Sequence, residues 1–168
     1  MQDIATERPK PSQSKGGQPL VELAAKGEIS ALVDLWVTVH EQSGDRALAH
    51  SREKVSNLFA RLLDSPESAA VFVTKAKANV VGMFAGAVAP HWYSDDLVGF
   101  DYAFCVAPGA AHHANSEALV QAFVLWCKRR GAQQVRVGVM PGADLAGAIR
   151  LYRSMGFADA GVGFSKEV

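Results

Sequence analysis

A tyrosine on an amphipathic helix near the end of the chain is the residue best placed for chemistry. From Ala148 to Phe157 the chain reads Ala-Ile-Arg-Leu-Tyr-Arg-Ser-Met-Gly-Phe, and its apolar residues recur at helical spacing, with Tyr152 at the edge of the apolar face. Gly156 supplies the left-handed residue that ends a helix, and Phe157 starts a new apolar element. A phenol at this edge can donate a proton, so Tyr152 is a candidate general acid. The alternative is a structural Tyr packed under a sheet.

The pattern A-x-x-L-Y-x-x-x-G-F in this stretch resembles the C-terminal signature of the GCN5-related N-acetyltransferases. In that family the helix flanks the acyl-CoA thioester and its Tyr commonly protonates the departing thiolate, which implies the same role for Tyr152. The middle region has Phe-x-Val-x-Pro, then a helix with Phe-x-x-Trp that ends in Arg-Gly-Ala, and it resembles small acetyltransferases of bacteria and their phages. The resemblance covers nearly everything after residue 19 and implies acetyl-CoA as a cosubstrate.

The resemblance also implies a position for the cosubstrate. In the family two adjacent parallel strands splay apart, and the pantetheine arm pairs with the main chain of one of them, here at Phe104, Cys105 and Val106. An N–H group in this segment would polarise the thioester carbonyl. The pyrophosphate then meets the N-terminus of the next helix, where free N–H groups attract anions. The corresponding residues here are Ala111, His112, His113, Ala114, Asn115 and Ser116.

This chain departs from the family at two places in that site. In the family the pyrophosphate turn has the sequence pattern Q/R-x-x-G-x-G/A. This chain has Ala111 at the Gln or Arg position, and it has the small residues Ala114 and Ser116 at the two glycine positions. Glycine lets the backbone approach a phosphate closely, and no glycine is present at these positions. Many family members also have Asn where this chain has Leu145. The alternative to an enzyme is therefore a catalytically inactive binding or regulatory protein with a degenerate CoA site.

The base that would deprotonate an acceptor amine stays open at this point. Asp101 lies at the start of the strand segment that leads to Val106, and simple alternation places it on the strand face of Ala103 and Cys105, so it is a candidate catalytic carboxylate. A water chain could carry the proton instead. Another set of residues lies in a loop that could bind the acceptor: His91, Tyr93, Asp95 and Asp96.

The other reactive side chains have ordinary structural interpretations. Cys105 and Cys127 fall in a predicted strand and a predicted helix, so we expect buried free thiols, with Cys105 as a less favoured nucleophile. His112 and His113 could donate to a phosphate when protonated, or lie solvated in a loop. No third ligand accompanies this pair in the sequence pattern, so no metal site is expected.

The elements that position these residues follow the order β-α-α-β-β-β-α-β-α-β. This order predicts an α/β fold with a mixed sheet flanked by helices, and it matches the acetyltransferase fold. Strands are expected at residues 20–24, 70–74, 79–88, 97–106, 135–139 and 157–166. A helix starting near Ser51 has that residue as its N-cap. Residues 1–19 are polar and rich in Pro and Gly, which predicts a flexible tail, and residues 20–168 form a single predicted domain.

Composition narrows the range of partners. The chain has 17 Lys and Arg against 17 Asp and Glu, so no net charge favours nucleic acid or an anionic membrane. No apolar run reaches the roughly 20 residues that span a bilayer, and the polar N-terminus lacks a signal-peptide core, so a cytoplasmic protein is expected. The expected partner is an amine acceptor, either a small molecule or a protein. The fold commonly associates through sheet edges or helices, which makes a homodimer plausible.

Overall fold

The computed structural model describes residues 19–43, 49–110, 112–139 and 144–161, together with Gly163, Phe164 and Lys166. Its strands are β1 (Val21–Leu23), β2 (Ala69–Ala76), β3 (Asn79–Pro90), β4 (Leu97–Val106) and β5 (Gln134–Arg136). Its α-helices are α1 (Ile29–Ser43), α2 (Arg52–Leu63), α3 (His112–Arg129) and α4 (Leu145–Ser154), and a 3-10 turn at Lys26–Glu28 precedes α1. None of the helices in these ranges is long and apolar enough to cross a membrane.

The strands form one sheet in the order β1-β2-β3-β4-β5. The first three pairings are antiparallel, whereas β4 and β5 run parallel because α3 crosses over between them. Helices α1 and α2 cover one face of the sheet, and α3 and α4 cover the other. The predicted α/β architecture, a mixed sheet flanked by helices, is confirmed.

Two apolar cores lie on opposite faces of the sheet because side chains alternate along each strand. In β3, Met83 and Ala85 point to the core under α1 and α2, while Phe84 and Val88 point to the core under α3 and α4. Both faces of the central strands are covered, so β2 and β3 have long runs of buried residues and little polar alternation.

Gly86 sets how closely α3 approaches β3. A Cβ atom at this position would lie 2.5 Å from the Phe123 ring and 2.6 Å from the Phe100 carbonyl oxygen. Only glycine fits without a shift of the strand or the helix, so this residue serves close packing between the sheet and α3.

The predicted N-cap of α2 and the predicted end of α4 are confirmed. The Ser51 hydroxyl accepts a hydrogen bond from the Lys54 amide at 3.3 Å and caps α2. At the end of α4, Gly156 has a φ of +85°. The Phe157 amide donates to the Tyr152 carbonyl at 3.0 Å, and the two rings lie 5.4 Å apart. The left-handed Gly156, this hydrogen bond and this ring contact are features of a Schellman motif. The Gly-Phe pair therefore ends the helix and also holds Tyr152 in place.

The C-terminal part of the prediction is wrong. The described residues of the range 157–166 belong to no strand, and Phe164 is 96% exposed. Strand β5 covers three residues, shorter than the predicted 135–139, so it offers little edge for a sixth strand to pair with. The predicted tail lies outside the described residues, apart from Pro19.

Candidate active site

A cleft opens where β4 and β5 separate. The two strands pair over only three positions, from Val98 opposite Gln134 to Phe100 opposite Arg136. Beyond Phe100 the edge of β4 faces a cavity of about 800 Å³. Its walls come from the end of α1, residues 101–106 of β4, the segment after β5, the start of α3 and much of α4. This geometry matches the splayed strands that the family resemblance implies.

A β-bulge at Tyr102 reverses the expected direction of Asp101. Adjacent β3 residues Ala85 and Gly86 pair with Ala103 and Asp101, so one residue of β4 is extra. Residues paired across strands share a face, and Gly86 faces α3. Asp101 therefore lies on the α3 and α4 face, whereas Ala103 packs under α1 and α2. The prediction that Asp101 shares a face with Ala103 and Cys105 is wrong, because simple alternation takes no account of a bulge.

The Gly138 peptide lies between the two predicted catalytic residues. Its amide donates to Asp101 Oδ1 at 3.0 Å, and its carbonyl accepts from the Tyr152 hydroxyl at 3.4 Å. Because a side chain takes this amide, the parallel ladder between β4 and β5 does not continue to Gly138, which helps to open the cleft. Asp101, Gly138 and Tyr152 all line the cavity.

Burial changes the proton affinity of both side chains. Burial raises the pKa of Asp101, and the amide bond from Gly138 lowers it by less, so the net direction is upward. Burial, and then the negative charge of Asp101, raise the pKa of the Tyr152 phenol. A carboxylate with a raised pKa is a better base, and the Tyr stays protonated at neutral pH. These directions suit Asp101 as a proton acceptor and Tyr152 as a proton donor.

The strand segment predicted to hold the pantetheine arm borders the same cavity. Phe104, Cys105 and Val106 all line it, beyond the last residue of β4 that pairs with β5. Their side chains pack into the two cores on either side of the sheet. The unpaired edge of this segment therefore exposes main-chain groups to the cleft. A main-chain contact with the pantetheine arm requires such groups.

The N-terminus of α3 closes one end of the cavity. His112, His113 and Ser116 line it, and the first turn of α3 contains no acidic residue that would repel an anion. The Ser116 hydroxyl is buried and has no hydrogen-bond partner among the described atoms. Ser116 therefore has an unsatisfied donor at the place where the sequence predicts a pyrophosphate.

Two other predicted cosubstrate residues, Ala114 and Asn115, are not among those that line the cavity. Asn115 is buried, and its side chain donates to the Ala110 carbonyl at 2.6 Å, which fastens the loop that precedes α3. Ala114 is half-buried and is not among the lining residues. Ala111 lies outside the described residues. Asn115 therefore supports the shape of the turn instead of facing the cleft.

The alternative acceptor loop lies away from the cleft. Residues 91–96 join β3 to the start of β4, at the opposite end of that strand from Val106, and none of them lines the cavity. Trp92 and Tyr93 are exposed, and the His91 ring lies 2.8 Å from an Arg136 nitrogen. The loop is therefore not part of this cavity.

The thiols and histidines add no second kind of chemistry. Both cysteines are buried and free, as predicted. Burial raises the pKa of each thiol to about 12, so neither is a thiolate at neutral pH and Cys105 is a poor nucleophile. Within the described part of the chain, no three His, Cys, Asp or Glu side chains are grouped as a metal site requires.

The structure adds site residues that the sequence did not indicate. Gly138 occurs in a predicted strand as Val-Gly-Val, a pattern that could have signalled a close approach. Arg150 of α4 lines the cavity and makes no hydrogen bond or ion pair with another described residue, whereas Arg153 pairs with Asp159 at 2.9 Å. Gln42 and Ser43 of α1 also border the cavity. Only the tertiary contact of α1 with β4 brings these two residues to the site.

The sequence as a whole matches a known family over residues 29–157, well over half of its length. The chain belongs to the acetyltransferase (GNAT) family. The match begins at the first residue of α1 and ends at Phe157, so it includes every element around the cleft. No curated protein matches this chain.

Solved structures share the fold at low sequence identity. A predicted acetyltransferase from Clostridium acetobutylicum, solved with acetyl-CoA, is 14% identical, with a TM-score of 0.71 over 88% of this chain and 94% of that one. An integron cassette protein from the Cole Harbour Salt Marsh metagenome is 20% identical, with a TM-score of 0.70 over 88% and 89%. An aminoglycoside acetyltransferase from an uncultured soil sample, solved with sisomicin, is 19% identical, with a TM-score of 0.65 over 89% and 95%. These likenesses support the fold.

Proposed function

We propose that this protein transfers the acetyl group of acetyl-CoA directly to an amine bound in the same cleft, in a ternary complex. The observation that carries the proposal is the placement of Asp101 and Tyr152 on either side of the Gly138 peptide, facing one cavity. Acetyl transfer to an amine needs a proton acceptor for the amine and a proton donor for the leaving sulfur. In the cleft, Asp101 is the proposed proton acceptor and Tyr152 the proposed proton donor.

The lining residues fit an acyl-CoA despite the altered pyrophosphate turn. The unpartnered Ser116 hydroxyl and the first N–H groups of α3 provide donors for a pyrophosphate, and His112 and His113 border the same end of the cavity. The unpaired main chain of residues 104–106 would bind the pantetheine arm. Backbone and hydroxyl donors thus take the place of the Gln or Arg that the family pattern carries.

A residue of the cleft can be assigned to each step of the acetyl transfer. Asp101 accepts a proton from the acceptor ammonium, and the resulting amine attacks the thioester carbonyl carbon. A main-chain N–H of residues 104–106 stabilises the developing oxyanion. The carbon–sulfur bond then breaks, and Tyr152 donates its proton to the sulfur. The new C–N nitrogen releases its extra proton to water, and a proton that passes from Asp101 to the Tyr152 phenolate restores both groups.

Charge couples the two residues in the order that the reaction needs. The negative charge of Asp101 is one cause of the raised pKa of Tyr152. When Asp101 takes the amine proton, it becomes neutral and this cause disappears. The phenol then becomes more acidic at the stage when the thiolate departs. Burial also raises the proton affinity of a thiolate, as the pKa of about 12 at Cys105 illustrates, so the transfer from Tyr152 becomes easier.

Calorimetric titration of the full chain with acetyl-CoA, and separately with CoA, tests the proposal. We expect micromolar binding of both, followed by CoA release when an amine is added to the acetyl-CoA complex. A titration without heat up to millimolar ligand would contradict the proposal and favour the catalytically inactive binding protein.

Replacing Arg150 with Ala is expected to weaken acetyl-CoA binding by about ten- to a hundredfold, because Arg150 is a cavity cation without a described partner and one charge-assisted hydrogen bond is worth about 1.5–3 kcal/mol. Arg150 lies roughly 160° around α4 from Tyr152, so kcat should change little. Arg153→Ala is the matched control, since Arg153 pairs with Asp159 and does not line the cavity. Calorimetry on both variants measures the difference. Equal affinities would remove Arg150 from the cosubstrate site.

Replacing Asp101 with Asn is expected to have opposite effects on activity and stability. Loss of the base should lower kcat/KM by ~10²-fold and remove the acidic limb of its pH profile. The folded-state pKa of Asp101 is raised, so its stabilising contribution is complete below the unfolded pKa of about 3.9 and is lost as the pH rises through the folded pKa. At pH 7 the variant should therefore melt at a higher temperature than the wild type, and the gain should vanish at pH 3. Lower stability at pH 7 would indicate a structural carboxylate.

A further inference from the structure

The bulge places an aromatic ring in the wall of the cavity. Tyr102, the extra residue of β4, lines the cavity and remains 48% exposed. Its ring packs edge-on against Phe100, with centroids 5.3 Å apart, and Phe100 in turn packs into the core under α1 and α2. Val39, Gln42 and Ser43 at the end of α1 border the same cavity. The wall on the α1 side therefore consists of one ring, one aliphatic side chain and two neutral polar residues.

The opposite wall has one carboxylate beside Tyr152. Of the described residues around the cavity, Asp101 and Asp144 are the two with carboxylates. Asp144 Oδ1 accepts from the Gly147 amide at 2.9 Å and caps α4. Asp101 Oδ1 likewise accepts a backbone amide, that of Gly138, and the Gly138 carbonyl accepts from Tyr152. Among the described residues, Asp101 is therefore the carboxylate beside the proposed proton donor. A ligand with several ammonium groups would leave most of them without a partner in a partly buried site, which is unfavourable.

We propose that the acceptor is a small primary amine with one positive charge, carried on an uncharged body with an aromatic ring that packs against Tyr102. Asp101 receives the amine, and the ring lies against the wall formed by Tyr102 and Val39. This assignment rests on the proposed acetyl transfer. It also separates this protein from enzymes for polycationic acceptors, since the described walls lack the several carboxylates that such acceptors need.

An acceptor panel tests the proposal with the full chain and saturating acetyl-CoA. The panel contains 2-phenylethylamine, n-hexylamine, spermidine and sisomicin, and the measured quantity is kcat/KM for CoA release. We expect 2-phenylethylamine to exceed n-hexylamine severalfold, and spermidine and sisomicin by tenfold or more. Tyr102→Leu should lower the ratio of 2-phenylethylamine to n-hexylamine about fivefold or more, because it keeps the apolar contact and removes the ring. Tyr102→Phe should retain that ratio.

Tyr93→Leu is the matched control, because Tyr93 is an exposed Tyr outside the cavity. It should leave every rate constant unchanged. A preference for spermidine or sisomicin, or a ratio that Tyr102→Leu does not alter, would overturn the acceptor class. If acetyl-CoA binds but no amine on the panel reacts, the acceptor class is wrong while cosubstrate binding stands. Failure of acetyl-CoA to bind in the parallel titration would refute the proposed function, and the acceptor class with it.

Discussion

Tyr152→Phe is expected to lower kcat by ~10²-fold or more while leaving the fold and the KM for acetyl-CoA nearly unchanged. The substitution removes one oxygen, and that oxygen makes a single long hydrogen bond, 3.4 Å to the Gly138 carbonyl. The ring keeps its contact with Phe157 at 5.4 Å. Gly138 is exposed, so water can satisfy the carbonyl that loses its donor. The stability loss should therefore stay near the ~0.5–1.5 kcal/mol of an ordinary hydrogen bond.

Steady-state kinetics at several acetyl-CoA concentrations separate the two kinetic constants, and thermal melting checks the fold. Tyr93→Phe is the matched control, since it deletes the same oxygen from an exposed loop residue that does not border the cavity. A Tyr152→Phe enzyme with wild-type kcat would exclude Tyr152 as the proton donor. An increase in KM without a change in kcat would assign the hydroxyl to binding instead.

Ser116→Glu is expected to reduce acetyl-CoA affinity by ~10²-fold or more. Ser116 borders the cavity near the start of α3, and a carboxylate there would face the phosphate groups of the ligand. The substitution would also replace an unpartnered hydroxyl donor with an acceptor. A hydrogen bond to the phosphate is then lost, and the added charge opposes the electrostatic attraction of the phosphate to this site. Acetyl-CoA titration of the purified variant measures the effect.

Ser116 is buried, with 3% of its surface exposed, so bulk and charge must be distinguished. Ser116→Gln has nearly the same size as the Glu variant without its charge, and Ser116→Ala removes only the hydroxyl. We expect the order Ser, Ala, Gln, Glu from strongest to weakest affinity, with melting temperatures recorded for each. If Glu and Gln bind acetyl-CoA equally well, repulsion of the phosphates plays no part. If Glu binds as tightly as Ser, the pyrophosphate lies elsewhere.

The elements of the fold were largely predictable because their signals are local. The Ser51 cap, the Gly156 stop and the apolar run of β3 each depend on residues that are close together in the sequence. The last strand was not predictable in the same way. A strand at 157–166 needs a partner edge, and β5 offers only three residues on this side of the sheet. Apolar spacing alone carries no information about that edge.

In the candidate site, too, residues with a local sequence signal were predicted, whereas those positioned by tertiary contacts were not. Tyr152 was identified from a helix motif that the structure places in the cleft, and residues 104–106 and Ser116 also border it. Asn115 turned out to fasten a loop, because the direction of a side chain at a helix start depends on the turn before it. Tyr102 escaped attention because a bulge leaves no local signature. The Val-Gly-Val pattern at Gly138 could have signalled a close approach, but it does not say which residue approaches.

The sequence by itself determined the family, the order of elements as far as α4 and the phenol of Tyr152, since each depends on contiguous residues or their spacing. Only the tertiary structure decided which face Asp101 takes and that Gly138 joins it to Tyr152. The physical reason is that these contacts connect residues 14 and 37 positions apart in the chain. A one-residue bulge reverses a strand face without changing composition or hydrophobic pattern. The chemistry of the cleft therefore depends on register, which the packed sheet sets.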